Sequence, residues 1–280
     1  MTLKERLIAA LRFLAQVARV FAVSSSMVLP GKALAQIAVV GSTVEERVSA
    51  PGETYLGTIV VRNPTSQDQP VRIYQSDYLF YADGTSHFLE AGTTKHSNAK
   101  WITPTVRSLL VPPMSEMTVS YTVRIPATDS LVGTYWSTIM VEGAPSEAGR
   151  SSGGRPQVGL GVVVRYAVQI ATHIQATGSR KVAFADAKFL TDSASGQHSL
   201  ELEVQNAGER AYRPAIWIEV YDEQGALKAN ARQERGLLYP GTSLKQVFQL
   251  GKLPSGTYRA VVFADSGEDS VFASQFTLKP

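Results

Sequence analysis

Met117-Thr-Val-Ser-Tyr-Thr-Val-Arg-Ile125 alternates without a break. Met117, Val119, Tyr121, Val123 and Ile125 share one face, and Thr, Ser and Arg fill the other. A two-residue period of this kind is a half-buried β-strand. Working outward, β-branched or aromatic runs recur at Leu56–Val61, Val71–Tyr78, Tyr135–Val141, Leu200–Val204, Ala215–Tyr221, Leu244–Leu250, Tyr258–Phe263 and Val271–Leu278. Turn formers separate them: Pro51-Gly52, Asn63-Pro64, Asp83-Gly84, Pro112-Pro113, Ser195-Gly196, Pro240-Gly241 and Pro254-Ser-Gly256. Short strands at a spacing of roughly 8–12 residues predict sandwiches rather than β-α-β units. No long helix is expected after residue 35.

The two halves echo each other. Gly133-Thr-Tyr-Trp-Ser-Thr-Ile-Met-Val-Glu142 parallels Gly256-Thr-Tyr-Arg-Ala-Val-Val-Phe-Ala-Asp265, and Val60-Val-Arg-Asn63 parallels Glu203-Val-Gln-Asn206. The order of the two signals is the same in each half, as two similar domains require. Tyr135 and Tyr258 are candidates for a tyrosine corner, in which the hydroxyl bonds back to upstream backbone. The predicted fold class is all-β: two immunoglobulin-like β-sandwich domains, at 36–174 and 175–280, after a signal peptide at 1–35.

The 280 residues are 44% hydrophobic, enough for packed cores. There is no cysteine, which excludes disulfide scaffolds, thiolate metal sites and cysteine nucleophiles. The formal charge of +3 is a property of the first 35 residues, where Lys4, Arg6, Arg12, Arg19 and Lys32 face only Glu5. Residues 36–280 then carry 22 basic and 23 acidic side chains, so no basic body suggests nucleic acid. The leader has a basic start, a short apolar stretch at 20–29, the breaker Pro30-Gly31 and the small-x-small triplet Ala33-Leu34-Ala35. It predicts secretion, to a periplasmic or other extracytoplasmic site, with cleavage after Ala35. No later stretch is long and apolar enough to span a membrane.

Enzyme signatures are missing. There is no Gly-x-Ser-x-Gly elbow, P-loop or His-Glu-x-x-His motif. Gly159-Leu-Gly161 lacks the further glycine of a dinucleotide loop. His87 and His96 could share a face but lack a third ligand. Asp77, Asp83 and Glu90 could take calcium, although Asp83-Gly84 reads better as a hairpin turn. No catalytic residue, metal site or cofactor is predicted. Trp101 and Trp136 read as core anchors or as glycan contacts. Met114 and Met117 read as fillers of core gaps.

Residues 158–170 read Val-Gly-Leu-Gly-Val-Val-Val-Arg-Tyr-Ala-Val-Gln-Ile, and every even position is apolar. This final strand of the first domain, taken over 158–172, follows a breaker-rich segment at 143–157, expected to be a mobile loop. At about 3.4 Å per residue, 158–170 would run roughly 40 Å, against about 17–20 Å for ordinary strands. Two uses of the extra length stand side by side. It bridges the domains and is buried there, or part of it is an exposed edge that pairs with a partner's strand.

Two cysteine-poor sandwiches, a secretory leader and a long alternating strand resemble the PapD-like periplasmic pilus chaperones. That resemblance implies a secreted or surface protein subunit as partner, bound by strand addition along Val158, Leu160, Val162, Val164, Tyr166, Val168 and Ile170. It also implies basic anchors for the subunit's terminal carboxylate, at Arg165 and Arg47. The family's aromatic-Arg-Pro ending is absent, because the chain continues Ala171-Thr-His-Ile174. Residues 36–175 are also similar to the peptidoglycan-binding domain of WxL-interacting proteins. Pro51-Gly52, Asn63-Pro64, Asp77-Tyr-Leu-Phe-Tyr-Ala-Asp83-Gly84, Trp101-Ile-Thr-Pro104, Val111-Pro-Pro113 and Gly133-Thr-Tyr-Trp136 carry that likeness. It implies peptidoglycan or a surface partner held by the first domain, with Trp101 and Trp136 as contacts. The C-terminal anchor usual in that family is not found.

Overall fold

The computed structural model describes residues 36–143, 163–233, 236–267 and 270–280. The leader, its cleavage point, most of the expected loop at 143–157, and Val158, Leu160 and Val162 lie outside the described residues.

The first ten strands are β1 (Ala38–Val40), β2 (Val44–Ser49), β3 (Thr54–Asn63), β4 (Gln69–Phe80), β5 (Ser86–Leu89), β6 (Ile102–Pro104), β7 (Ser108–Val111), β8 (Ser115–Arg124), β9 (Thr134–Gly143) and β10 (Arg165–Ile174). They form two facing sheets, β1-β3-β8-β6 and β2-β10-β9-β4-β5, with β7 also on β4. Seven more follow: β11 (Val182–Asp192), β12 (Gln197–Asn206), β13 (Ala215–Tyr221), β14 (Leu227–Gln233), β15 (Ser243–Gly251), β16 (Tyr258–Asp265) and β17 (Val271–Leu278). These make the sheets β11-β12-β15 and β14-β13-β16-β17. Both halves are immunoglobulin-like sandwiches. The sole helix among the described residues is a single 3-10 turn at Ala99–Trp101. No helix among them is long and apolar enough to cross a membrane.

Each sandwich buries the inward row of its alternating strands. Val119, Tyr121 and Val123 of β8, Ile125 just beyond it, and Ile59 and Val61 of β3 pack against Ile139, Val141, Val168 and Ile170 of the facing sheet. Leu200, Leu202, Val204, Ile216, Ile218, Val220 and Phe248 fill the other core. Fully burying side chains of this size stabilises by about 1.5–3 kcal/mol each. Met117 and Met114 depart from expectation. Both are exposed, at 40% and 74%: Met117 lies near the start of β8, and Met114 follows Pro112-Pro113 in a left-handed turn (φ 52°).

A third, smaller cluster joins the halves. Trp136 and Ala171 pack against Ala211 and Tyr239. Backbone meets backbone beside it. A Cβ on Gly133 would fall 1.9 Å from the Glu209 carbonyl oxygen, and Gly133 itself has φ +78°. The Thr134 N–H donates to that same carbonyl at 2.8 Å.

The hydrogen-bond pattern explains the weak repeat. Asn63 and Asn206 end β3 and β12, and both are fully buried. Tyr258 forms the expected corner, its hydroxyl donating to the Pro254 carbonyl at 2.9 Å. Tyr135 does not. Its ring packs on Trp101 with centroids 4.7 Å apart.

Candidate functional site: the half-open edge of β10

β10 alternates as its sequence predicts, but its two ladders differ in length. β9 pairs with it from Arg165↔Glu142 to His173↔Thr134. On its other side β2 runs parallel and pairs only from Gln169↔Val44 to Ile174↔Ser49. The Gly143 N–H donates to the Val164 carbonyl at 3.1 Å, and the Gln169 N–H donates to the Thr43 carbonyl at 2.8 Å. Even-numbered backbone groups of β10 therefore point to β9, and odd-numbered ones point away from it. Arg165 and Ala167 aim their N–H and C=O groups at the side that β2 has not reached. No strand among the described residues pairs with them there.

Local geometry makes this gap. β1 belongs to the opposite sheet, with Ala38↔Arg62 and Val40↔Val60 as partners. The chain crosses between sheets at Gly41, whose φ of +94° suits glycine. It joins β10 only at Thr43. The bend leaves the first rungs of β10 beyond the reach of β2, with no other strand on that side among the described residues.

The two faces flanking the gap are unlike. On the core side lie the half-buried Tyr166, its hydroxyl donating to the Ile37 carbonyl at 3.2 Å, and Val39. On the outer face, Arg165, Glu142 and Arg72 share one row across β10, β9 and β4. Glu142 is 9% exposed. It meets Arg165 Nε at 2.7 Å and Arg72 Nη1 at 3.5 Å, and it accepts the Tyr74 hydroxyl at 2.8 Å. Burial, with that acceptor carboxylate, holds the Tyr74 hydroxyl above the ordinary phenol range. Two guanidinium groups share one carboxylate, so this row carries a net positive charge.

The other end of β10 is committed to structure. Inside the first core, Asn98 donates to the Ile170 carbonyl at 2.9 Å and Ser137 donates to Asn98 at 2.7 Å. Tyr55 and Thr172 share a hydroxyl pair at 2.9 Å. On the outer face, Ala211 N–H donates to Thr134 Oγ1 at 2.8 Å, and Thr134 Oγ1 lies 2.8 Å from His173 Nδ1. His173 Nε2 lies 3.2 Å from Glu46, which also pairs with Arg213 of the second sandwich. All atoms are satisfied when the Thr134 hydroxyl donates to Nδ1 and Nε2–H donates to Glu46. The His173 bond, opposed by burial and aided by Arg213, holds the Glu46 carboxyl below its usual range.

The residues singled out in the sequence divide accordingly. Val168 and Ile170 are 1% exposed and serve their own core, so their side chains are not surface pegs. A two-residue period marks an inward face without saying whose core it fills. Tyr166 and Val164 are half-buried. Arg165 flanks the gap. Arg47 does not join it: it lies opposite Thr172, seven rungs and roughly 23 Å away, and stacks over the Tyr55 ring at 4.7 Å. Trp136, at 2% exposure, donates from Nε1 to the Tyr78 carbonyl at 2.7 Å and stacks on Tyr239 at 4.6 Å. It is a junction residue with no face left for a glycan. Trp101 is half-buried against the first core.

The remaining polar candidates have structural duties. Asp77 is fully buried and accepts from the N–H groups of Gly92, Thr93 and Thr94 and from Ser97 Oγ. Asp83 accepts from Thr85 within its turn. His96 stacks on Trp136 at 6.0 Å, and burial lowers its pKa. His87 lies on exposed β5, away from His96. No group of three metal-ligating side chains occurs among the described residues. Sequence reasoning missed Glu142, Arg72 and the short reach of β2. Glu142 looked like the polar end of an apolar run, and Val-Glu-Glu-Arg-Val-Ser49 is too polar to announce a strand.

No protein-family model matches the chain, and no curated protein matches it. Solved structures do resemble it. One is a chaperone–tip adhesin complex of CFA/I fimbriae biogenesis, with TM-score 0.45 and 8% identity, covering 86% of this chain and 98% of that one. Another is the class 5 fimbriae chaperone CfaA, with TM-score 0.44 and 11% identity, covering 87% and 99%. A third is the Escherichia coli chaperone DraB, with TM-score 0.39 and 15% identity, covering 87% and 98%.

Proposed function

We propose that this chain is a non-enzymatic, chaperone-like adaptor. It holds a secreted or surface protein subunit by adding that subunit's strand to the open half of β10. The leader reading supports action outside the cytoplasm, after cleavage near Ala35. The two sandwiches, 36–174 and 175–280, act as one scaffold that fixes the edge.

One observation carries the proposal. The backbone groups of Arg165 and Ala167 point into a gap that β2 leaves by joining β10 only at Thr43. Unpaired edge groups beside a well-ordered ladder are a template for another strand. Main-chain bonds supply the hold, so the even-numbered side chains are free to stay in their own core.

Ala167→Pro tests this. The Ala167 N–H faces away from β9, so proline removes one edge donor without touching the β9 ladder. A photo-crosslinking residue at Arg165 should give a discrete protein adduct in the native cell envelope. The same probe at Glu219, on a remote strand, should give none. Adding Ala167→Pro should abolish the Arg165 adduct while the melting temperature stays within a few degrees. An adduct that survives with the fold intact would overturn the strand-addition reading.

A further inference from the structure

The open edge is asymmetric, and its asymmetry specifies what can enter. A strand laid beside Val163–Val168 alternates its side chains between the two flanks of the gap. One set meets Tyr166 and Val39, on the core side. The other set meets the outer row, where Arg165 is 60% exposed and Arg72 72% exposed, with Glu142 as their shared counter-ion. Arg165 stands on the odd-numbered, edge-facing residues, so an outward side chain on the incoming strand becomes its direct neighbour.

We infer that the segment entering this edge is an amphipathic strand of a partner protein, apolar on the side facing Tyr166 and Val39 and acidic on the side facing Arg165. This rests on the proposed strand addition and gives its occupant a chemistry. Charge complementarity makes the choice. A lysine placed there would face two guanidinium groups and one already-shared carboxylate. An aspartate or glutamate would bring the row to neutrality. Opposite charges directly across a ladder attract and like charges repel, so Arg165 selects as well as binds.

The test uses the full mature chain and end-blocked synthetic peptides of about eight residues. All share one apolar face, and the other face carries glutamate, glutamine or lysine. Binding is followed by titration calorimetry, and edge occupancy by hydrogen exchange at the Arg165 and Ala167 amides. The glutamate peptide should bind best, by about two- to fivefold per charged position over glutamine, with the lysine peptide weakest. The preference should shrink in high salt. Arg165→Gln should erase most of it, and Arg165→Glu should reverse it. Arg165→Gln keeps a neutral side chain beside Glu142, so it reads selectivity even where the charge reversal unfolds.

Equal binding of all three peptides, with the two amides protected in each complex, would overturn the acidic-strand inference and leave strand addition standing. Preference for lysine would overturn it as well. Failure of every peptide to protect the amides would sink both ideas. Amides already protected in the chain alone, or self-association that displaces the peptides, would assign the edge to the chain itself or to a second copy and would overturn the inference.

Discussion

Asn63 and Asn206 close their sandwiches in the same way. Each is the last residue of its strand, and each carboxamide oxygen accepts a backbone N–H two residues on, from Thr65 at 2.9 Å and Gly208 at 2.9 Å. Each Nδ2 then reaches across to other segments. Asn63 donates to the carbonyls of Gln67, Val111 and Pro112. Asn206 donates to those of Arg210 and Leu238. Either asparagine to alanine takes a donor from buried and part-buried carbonyls, although that of Leu238 keeps the Tyr212 N–H at 3.2 Å. The expected loss is about 2–4 kcal/mol, from several bonds at roughly 1 kcal/mol each plus unsatisfied groups. Urea melts of the two variants would measure it, and a loss below about 1 kcal/mol would refute the shared role.

The two Gly-Thr-Tyr segments should behave differently. Tyr258→Phe removes a hydroxyl bonded to Pro254 and should cost about 1 kcal/mol. Tyr135→Phe keeps a ring whose contacts are with Trp101 and His96, and should change stability by no more than about 0.5 kcal/mol. Thermal melts of the pair decide this, and equal effects would contradict the assignment of a corner to Tyr258 alone.

Asp77 ties the 92–97 loop to β4 through four donors. Asp77→Ala should cost about 3 kcal/mol, because three part-buried N–H groups and the Ser97 hydroxyl lose their acceptor at once. The carboxylate is already saturated. Calcium or a chelator should therefore leave the melting temperature of the unaltered chain unchanged, which differential scanning calorimetry would show.

Glu46 gives the junction a pH dependence with a defined sign. Its carboxyl is held low in the folded chain by His173 and Arg213. A depressed carboxyl contributes stability that is present above its unfolded value, about 4.3, and is lost as pH falls through the lower folded value. Glu46→Gln should therefore be less stable than the parent at pH 6, and the gap should close on acidification below about pH 4. Urea melts from pH 3 to 7 would follow it. A gap that widens toward acid would reverse the assignment.

Strands with strong apolar alternation were legible in the sequence, and strands whose faces are both polar or exposed were not. β3, β4, β8, β9, β12, β13, β15, β16 and β17 follow β-branched or aromatic runs. β2 and β14 read Val-Glu-Glu-Arg-Val-Ser and Leu-Lys-Ala-Asn-Ala-Arg-Gln, and their pairing, not their composition, makes them strands. β10 continues to Ile174 because Ala171 and His173 lie under the second sandwich, so a small or polar residue there does not mark an end. The candidate site was half legible. Arg165 stood out within the alternation, whereas its partners Glu142 and Arg72 come from β9 and β4. The gap itself depends on where β2 joins, which only tertiary pairing decides.

That pairing also sets an order of events during folding. Val44 is made early and finds its ladder partner in Gln169, after β3 through β9 have been synthesised. Until β10 has docked on β9, β2 has nothing to lie against, and the first sandwich lacks one wall. Contacts so distant along the chain slow folding, since the loop must close before any of its bonds repay that entropy. A newly made chain thus passes through a stage in which β9 itself is an unclaimed edge. That edge closes only when β10 arrives, so the last strand of the first sandwich to be made is also the one that seals it.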